Sequence, residues 1–142
     1  MKIGGQFTVA SSVGALRVLG TQPEKLAGVA SLSDVVSAPG GGGFTALFTP
    51  ITPLGRQPIA ARVVTERADE KGAELRVHGR RGPHVIDVEL TISFVEASEG
   101  AVVSWEAEVW VRGPAASVGQ RVALDVARRA IGDLLVSSAA CA

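Results

Sequence analysis

The 142-residue sequence contains no tyrosine, one cysteine, two histidines and only 4% aromatic residues. So few rings exclude an aromatic platform for stacked bases. The lone Cys141 can build neither a disulfide framework nor a multi-thiolate metal site, and a reducing cytoplasmic setting is the expectation. Net charge is missing as well. Fourteen Lys and Arg balance 14 Asp and Glu, so no long-range field gathers phosphate backbones, and nucleic acid is not an expected partner. Arg, Asp or Glu interrupts every apolar run before the ~20 residues that a membrane-spanning helix requires. The opening Met1-Lys2-Ile3-Gly4-Gly5-Gln6-Phe7 alternates at once. It shows neither the basic patch and apolar run of a signal peptide nor its small-residue cleavage site.

What the chain does have is 46% hydrophobic residues, chiefly Val, Ala, Leu and Ile. This length and composition fit one domain with a real core, expected over residues 1–136, followed by a short tail without periodicity over 137–142. Ile3, Gly5, Phe7 and Val9 alternate with polar or small partners, the two-residue period of a strand over 3–10. Ser11-Ser12 then caps a short helix reaching about Gly20, and Pro23-Glu24 opens a second. Further strands are predicted at Val35-Val36, Phe44 to Thr49, Ile59 to Glu66, Ala73 to Arg80, Val85 to Val95 and Ala101 to Arg112. Gly- and Pro-rich turns separate them, including Gly40-Gly41-Gly42-Gly43 and the segment Pro50 to Gly55. Short connections between strands mean an antiparallel meander.

The last two strands alternate most strictly. Ile86, Val88, Leu90, Ile92 and Phe94 share one face, as do Val103, Trp105, Ala107, Val109 and Val111, and a turn at 98–100 sets Ile92 beside Trp105. Trp105 is therefore expected inside and Glu106 outside. In the strand at 59–66, Val63 and Val64 compete for the inward phase and the pattern does not choose. From Ser117 to about Val136, apolar residues recur at Val122, Val126, Ala130 and Leu134, with Ala123, Ala127 and Ile131 beside them, which describes an amphipathic helix. The order of strand, two short helices, six strands and a long helix points to an α+β helix-grip fold. In it a curved antiparallel sheet wraps the C-terminal helix. Val77, Ile86, Val88, Trp105, Ala107 and Val109 from the sheet, with Val122, Val126 and Ala130 from the helix, are expected to line one apolar interior.

Candidate chemistry is sparse. His78 and His84 sit among Arg76, Arg80 and Arg81, neighbours that disfavour both protonation and metal, so exposed sheet positions suit them better than a base or a ligand set. Asp87 with Glu89 and Glu106 with Glu108 point to the wet face by parity, where Arg62 and Arg76 offer cross-strand charge partners. The glycine run lacks the Lys-Ser/Thr and the following helix of a phosphate loop. Ser117 has no Gly-x-Ser-x-Gly frame and reads as a helix start. No catalytic residue, metal or cofactor is expected.

Several segments match one family in order. These are Met1 to Phe7, Pro23-Glu24-Lys25-Leu26-Ala27, Gly42-Gly43-Phe44-Thr45-Ala46, Val103-Ser104-Trp105-Glu106-Ala107, and Ala116 to Arg121 with Ala127-Arg128-Arg129. On these residues the chain resembles the carbon monoxide dehydrogenase G-subunit family of the START-like, or polyketide cyclase-like (SRPBCC), superfamily, over nearly its whole length. The resemblance implies the helix-grip fold, a cavity for a lipid- or quinone-like molecule, and an accessory role beside a molybdenum hydroxylase or other respiratory oxidoreductase, without catalysis. Val29-Ala30 stands where family members often have Pro-Gly, so the cavity mouth is expected to differ. Many members also carry a linker and a C-terminal membrane-associating segment, whereas this sequence stops at Ala142, so membrane tethering is not carried over as an expectation and peripheral membrane contact stays open. Two other readings stand beside this one: an enzyme of the cyclase or hydrolase type, needing polar groups aimed into the cavity, and a closed-core protein–protein adaptor. Ligand identity, partner and oligomeric state are not legible.

Overall fold

The computed structural model describes residues 1–52, 55–56, 58–113 and 120–142, with side chains described outside 20–21, 51–57 and 114–124. Strand β1 (Lys2–Val9) is followed by helix α1 (Val13–Thr21), a 3-10 helix (Pro23–Gly28), β2 (Leu32–Ser37) and β3 (Gly43–Phe48). A two-residue ribbon follows, β4 (Ile51–Thr52) with β5 (Gly55–Arg56). Then come β6 (Ile59–Asp69), β7 (Gly72–Arg81), β8 (His84–Ala97), β9 (Gly100–Arg112) and the long helix α2 (Gln120–Ala139). The order matches the reading from the pattern, with the β4–β5 ribbon added where only turn chemistry is legible. The expected helix start at Ser117 lies outside the described residues.

Seven strands form one antiparallel sheet in the order β1-β9-β8-β7-β6-β3-β2. Strands β6 to β9 run as successive hairpins. The first strand pairs with the last, and the chain then carries α1 and the 3-10 helix across to the opposite edge at β2. Register shifts between Ser33 and Val36 and between Thr65 and Arg67 are bulges, which bend a strand and increase its twist. They help the sheet curl around a helix. Gly40, Gly41 and Gly42 close the β2–β3 turn with φ of 81°, 81° and 84°, a region that only glycine enters freely.

The β8–β9 register places Ile92 opposite Trp105. Trp105 is 4% exposed while Glu106 is exposed, as the alternation requires. On β6 the inward residue is Val63, and Val64 is exposed on the outer face. Helix α2 presents Ala127, Ile131, Leu135 and Ala139 to the core, one position on from the stripe Val126, Ala130 and Leu134. Gly132 lies over the same core. A Cβ there would stand 3.6 Å from the Trp105 ring, so the bare glycine rests over the indole. Gly5, opposite Trp105 on β1, leaves room on the other side, where a Cβ would come within 2.7 Å of Nε1. The indole thus lies between Gly5, where a side chain would clash, and Gly132, where a methyl group would make ordinary contact. It also continues past Val136 to Ala139, which is 4% exposed. No helix among the described residues is long and apolar enough to cross a membrane.

Two single-methyl substitutions test this packing. Gly5→Ala drives a Cβ into a buried ring and should lower stability by roughly 1–3 kcal/mol. Gly132→Ala meets only ordinary contact and should raise it by about 0.5–1 kcal/mol through helix propensity. Denaturant midpoints of the two variants should therefore move in opposite directions.

Candidate ligand cavity

The core divides across the sheet. Beneath the middle of α2, on the β9–β1 side, Ile3, Val88, Trp105, Ala107 and Val109 are each 9% exposed or less and fill the space. Towards β8, β7, β6 and β3 the filling stops, and a cavity of about 190 Å³ remains. Its sheet wall includes Ala61, Val63, Ala73, Leu75, Ile92 and Phe94, and Phe44 and Phe48 come from β3. Leu16 and Leu19 of α1 and Leu26 of the 3-10 helix cover it, and Leu134, Leu135, Ser138 and Ala139 close it from the end of α2.

The sequence explains the void. Ala46, Ala61, Ala68 and Ala73 are inward strand positions with one methyl each, and Ser138 and Ala139 are equally short. Small residues facing one another across a bent sheet leave space that the surrounding Phe and Leu side chains rim without filling. The lining carries three polar side chains, Arg17, Thr65 and Ser138. No histidine, cysteine or carboxylate is among the described lining residues. Such a surface binds by burial.

Of the residues expected to line the interior, Val77 lines the cavity. Val88, Trp105, Ala107 and Val109 belong to the filled core beside it, with Ile86 packed against them. Val126 and Ala130 are half-buried on α2, and the Val122 side chain lies outside the described residues. Sequence reasoning missed Leu16, Leu26, Phe44 and Phe48, which reach the cavity from three separate elements. The legible signal was the set of strand alanines facing a phenylalanine-rich neighbour.

The outer face is a network of ions. Asp87 accepts from Arg112 at 2.7 Å and lies 2.7 Å from His78 Nδ1. His78 thus has a carboxylate as its nearest charged partner, in addition to its cationic neighbours in sequence. Arg76 pairs with Glu66 and, at 3.8 Å, with Glu89. Arg62 faces His78 in register, and no ion pair engages it among the described residues. The hydrogen bond to His78, seconded by Arg112, holds the Asp87 carboxyl below its usual range. A broad open concavity of about 490 Å³ lies on this face between Asp34, Thr45, Arg62, His78 and Arg80. It is less enclosed than the apolar cavity and has a polar rim, so the inner cavity is the better ligand site. No three His, Cys, Asp or Glu side chains cluster among the described residues.

A long helix gripped by a curved antiparallel sheet around an apolar cavity defines a START-like helix-grip fold. Solved structures share the architecture. A conserved protein from Geobacillus kaustophilus superposes with a TM-score of 0.82 at 17% identity, over 99% of this chain and 93% of that one. TTHA0849 from Thermus thermophilus gives 0.69 at 12% identity, over 99% and 96%. A START superfamily protein from Mycobacterium smegmatis gives 0.66 at 13% identity, over 98% and 94%. The sequence profile of the carbon monoxide dehydrogenase G-subunit (CoxG) family matches residues 5–138, and the chain belongs to that family. No curated protein matches it.

Asp87 supplies a test of the outer network. Because its folded pKa is depressed, its contribution to stability is complete above the unfolded carboxylate value near ~4 and is lost as pH falls through the lower folded value. Asp87→Asn should therefore flatten the fall in melting temperature on the acid side, below about pH 4. An unchanged acid limb would show that the His78–Asp87–Arg112 contacts contribute nothing.

Proposed function

We propose that this protein binds an apolar lipid- or quinone-like ligand without catalysis and carries it as an accessory to a carbon monoxide dehydrogenase-type or related oxidoreductase. The observation that carries the reading is the partly open cavity, lined almost wholly by aliphatic and phenylalanine side chains. Each ~100 Å² of apolar ligand surface removed from water contributes about 2.5 kcal/mol, before the entropic cost of association. Membership of the family supports the oxidoreductase as partner. A cyclase or hydrolase would need a base or nucleophile aimed at the substrate, and among the described residues the lining offers only Arg17, Thr65 and Ser138. In this reading Val77 touches the ligand, while Ile86, Val88, Trp105, Ala107 and Val109 are the firm wall behind it. Val122, Val126 and Ala130 belong to the helix that closes that wall. Cargo handed between proteins in this way suits a cytoplasmic setting.

Mass spectrometry of an organic extract of the purified protein should reveal the ligand directly. Cavity filling supplies the control. Ala61→Leu and Ala73→Leu occupy the void and should cut uptake of a neutral fluorescent apolar probe by about tenfold, with the melting temperature unchanged or raised. Ala107→Leu overpacks the filled core and should cost roughly 1–3 kcal/mol of stability. Should all three variants melt early, and the native protein take up no probe at micromolar concentration, the closed-core adaptor is the correct reading.

A further inference from the structure

The cavity is apolar except at one place. Arg17 is the one ionisable side chain among its described lining residues, and at 53% side-chain exposure it stands where the cavity meets solvent. Its neighbour Leu16 is 4% exposed and anchors α1 to the core, so the guanidinium is held at the rim by its own helix. Its one charged partner among the described residues is Glu70, and that pair is loose. Nη1 and the Glu70 carboxylate are 3.8 Å apart, too far for a hydrogen bond, and Glu70 is 70% exposed. A guanidinium has five N–H donors in a planar fork, and the contact with Glu70 is too long to engage any of them.

Glu70 is nonetheless placed with care. It sits in the β6–β7 turn, where Asp69 Oδ1 accepts from the backbone N–H of Lys71 at 2.8 Å and of Gly72 at 3.2 Å. Arg67 donates to the other oxygen of Asp69 at 2.8 Å. The turn is thus pinned on both sides of Glu70. The backbone that carries Glu70 is held, and its carboxylate stands 3.8 Å from the Arg17 guanidinium, a distance that leaves the strong, two-pronged contact unmade.

Size points the same way. At about 190 Å³ the cavity exceeds the roughly 150 Å³ void that admits benzene in another protein, yet falls short of the ~300 Å³ at which ordinary ligand pockets begin. A chain can enter. A bulky head remains at the rim, beside Arg17.

We propose that the cavity takes a single-chain amphiphile with a carboxylate head, whose tail fills the apolar interior while its head displaces Glu70 from Arg17. The proposal rests on the ligand-binding reading above and selects within it an acidic lipid over a quinone. Glu70 is then an internal competitor, a counter-ion that occupies the rim when the cavity is empty. An ion pair this exposed contributes little, so exchanging it for a hydrogen-bonded carboxylate favours the ligand.

Calorimetric titration of the full chain at low salt with decanoate, decanol and a decyl-substituted benzoquinone tests this, because the three share one tail. Decanoate should bind about tenfold more tightly than the two neutral ligands. Arg17→Met keeps the apolar stem and should remove that advantage while leaving decanol unchanged. Glu70→Gln, an exposed turn substitution, should act in the opposite sense and strengthen decanoate binding about threefold or more, again without effect on decanol. A merely structural role for the pair would weaken all ligands together in both variants. Equal binding of the three ligands, or parallel changes for acid and alcohol, overturns the proposal and leaves the cavity reading intact. If none of the three ligands binds the native chain, the cavity reading falls and the proposal with it.

Discussion

The position of one indole governs how the rest of this protein is arranged. Trp105 is buried on the inner face of β9, and it fits there because Gly5, opposite it on β1, has no side chain. Helix α2 meets the indole with Gly132 and turns Ala127, Ile131, Leu135 and Ala139 to the core. On the β9–β1 side the space beneath the helix is filled. With the middle of the helix seated there, its end at Leu134, Leu135, Ser138 and Ala139 spans the part of the sheet with the smallest inward residues. The filled half lies under the middle of the helix and the open half under its end.

Polarity divides as sharply as packing. Strict alternation on β8 and β9 puts Asp87, Glu89, Glu106 and Trp110 on the outer face and leaves aliphatic residues inside. On that outer face opposite charges meet across strands, at Arg76 with Glu89 and at Arg112 with Asp87. Such exposed pairs are each worth little, and their larger effect is on register, because a slip of one residue would bring every inward aliphatic to water and every carboxylate to the core. The inner face needs no charge to hold it. Arg17, entering from α1 and not from the sheet, is the exception at the rim.

Much of this is legible in the sequence because two-residue alternation is a local property. The β8–β9 register, the burial of Trp105 and the exposure of Glu106 follow from the pattern and a short turn. The choice between Val63 and Val64 was not legible, since both are β-branched and equally apolar; pairing with Val77 across β7 and with Phe44 across β3 decides it, and neither contact is local. The helix stripe is displaced for a similar reason. Periodicity weighs hydrophobicity and finds Val122, Val126, Ala130 and Leu134, whereas the fold weighs shape and turns Gly132 to the indole. The expected lining gathered on the most regular strands, where regularity goes with close filling. The space itself lies beneath elements far apart in sequence, and only the alanines at 46, 61, 68 and 73 mark it in advance.

Those alanines carry a cost that the fold could have avoided. Unfilled apolar volume forfeits packing contacts, and a partly open void of about 190 Å³ leaves its aliphatic and phenylalanine lining without them. A domain of this size has a net stability of only about 5–15 kcal/mol. Adding methylenes at Ala61 or Ala73 would recover some of those contacts without disturbing the Trp105 contact, because neither residue belongs to the filled half. A void kept at this expense is understandable where occupancy restores the loss: a ligand that binds only the folded state stabilises it by mass action, by about 2.7 kcal/mol at a hundredfold excess over its Kd. Low stability when empty and higher stability when loaded is the behaviour expected of a carrier, and it follows here from where the sequence places its smallest side chains.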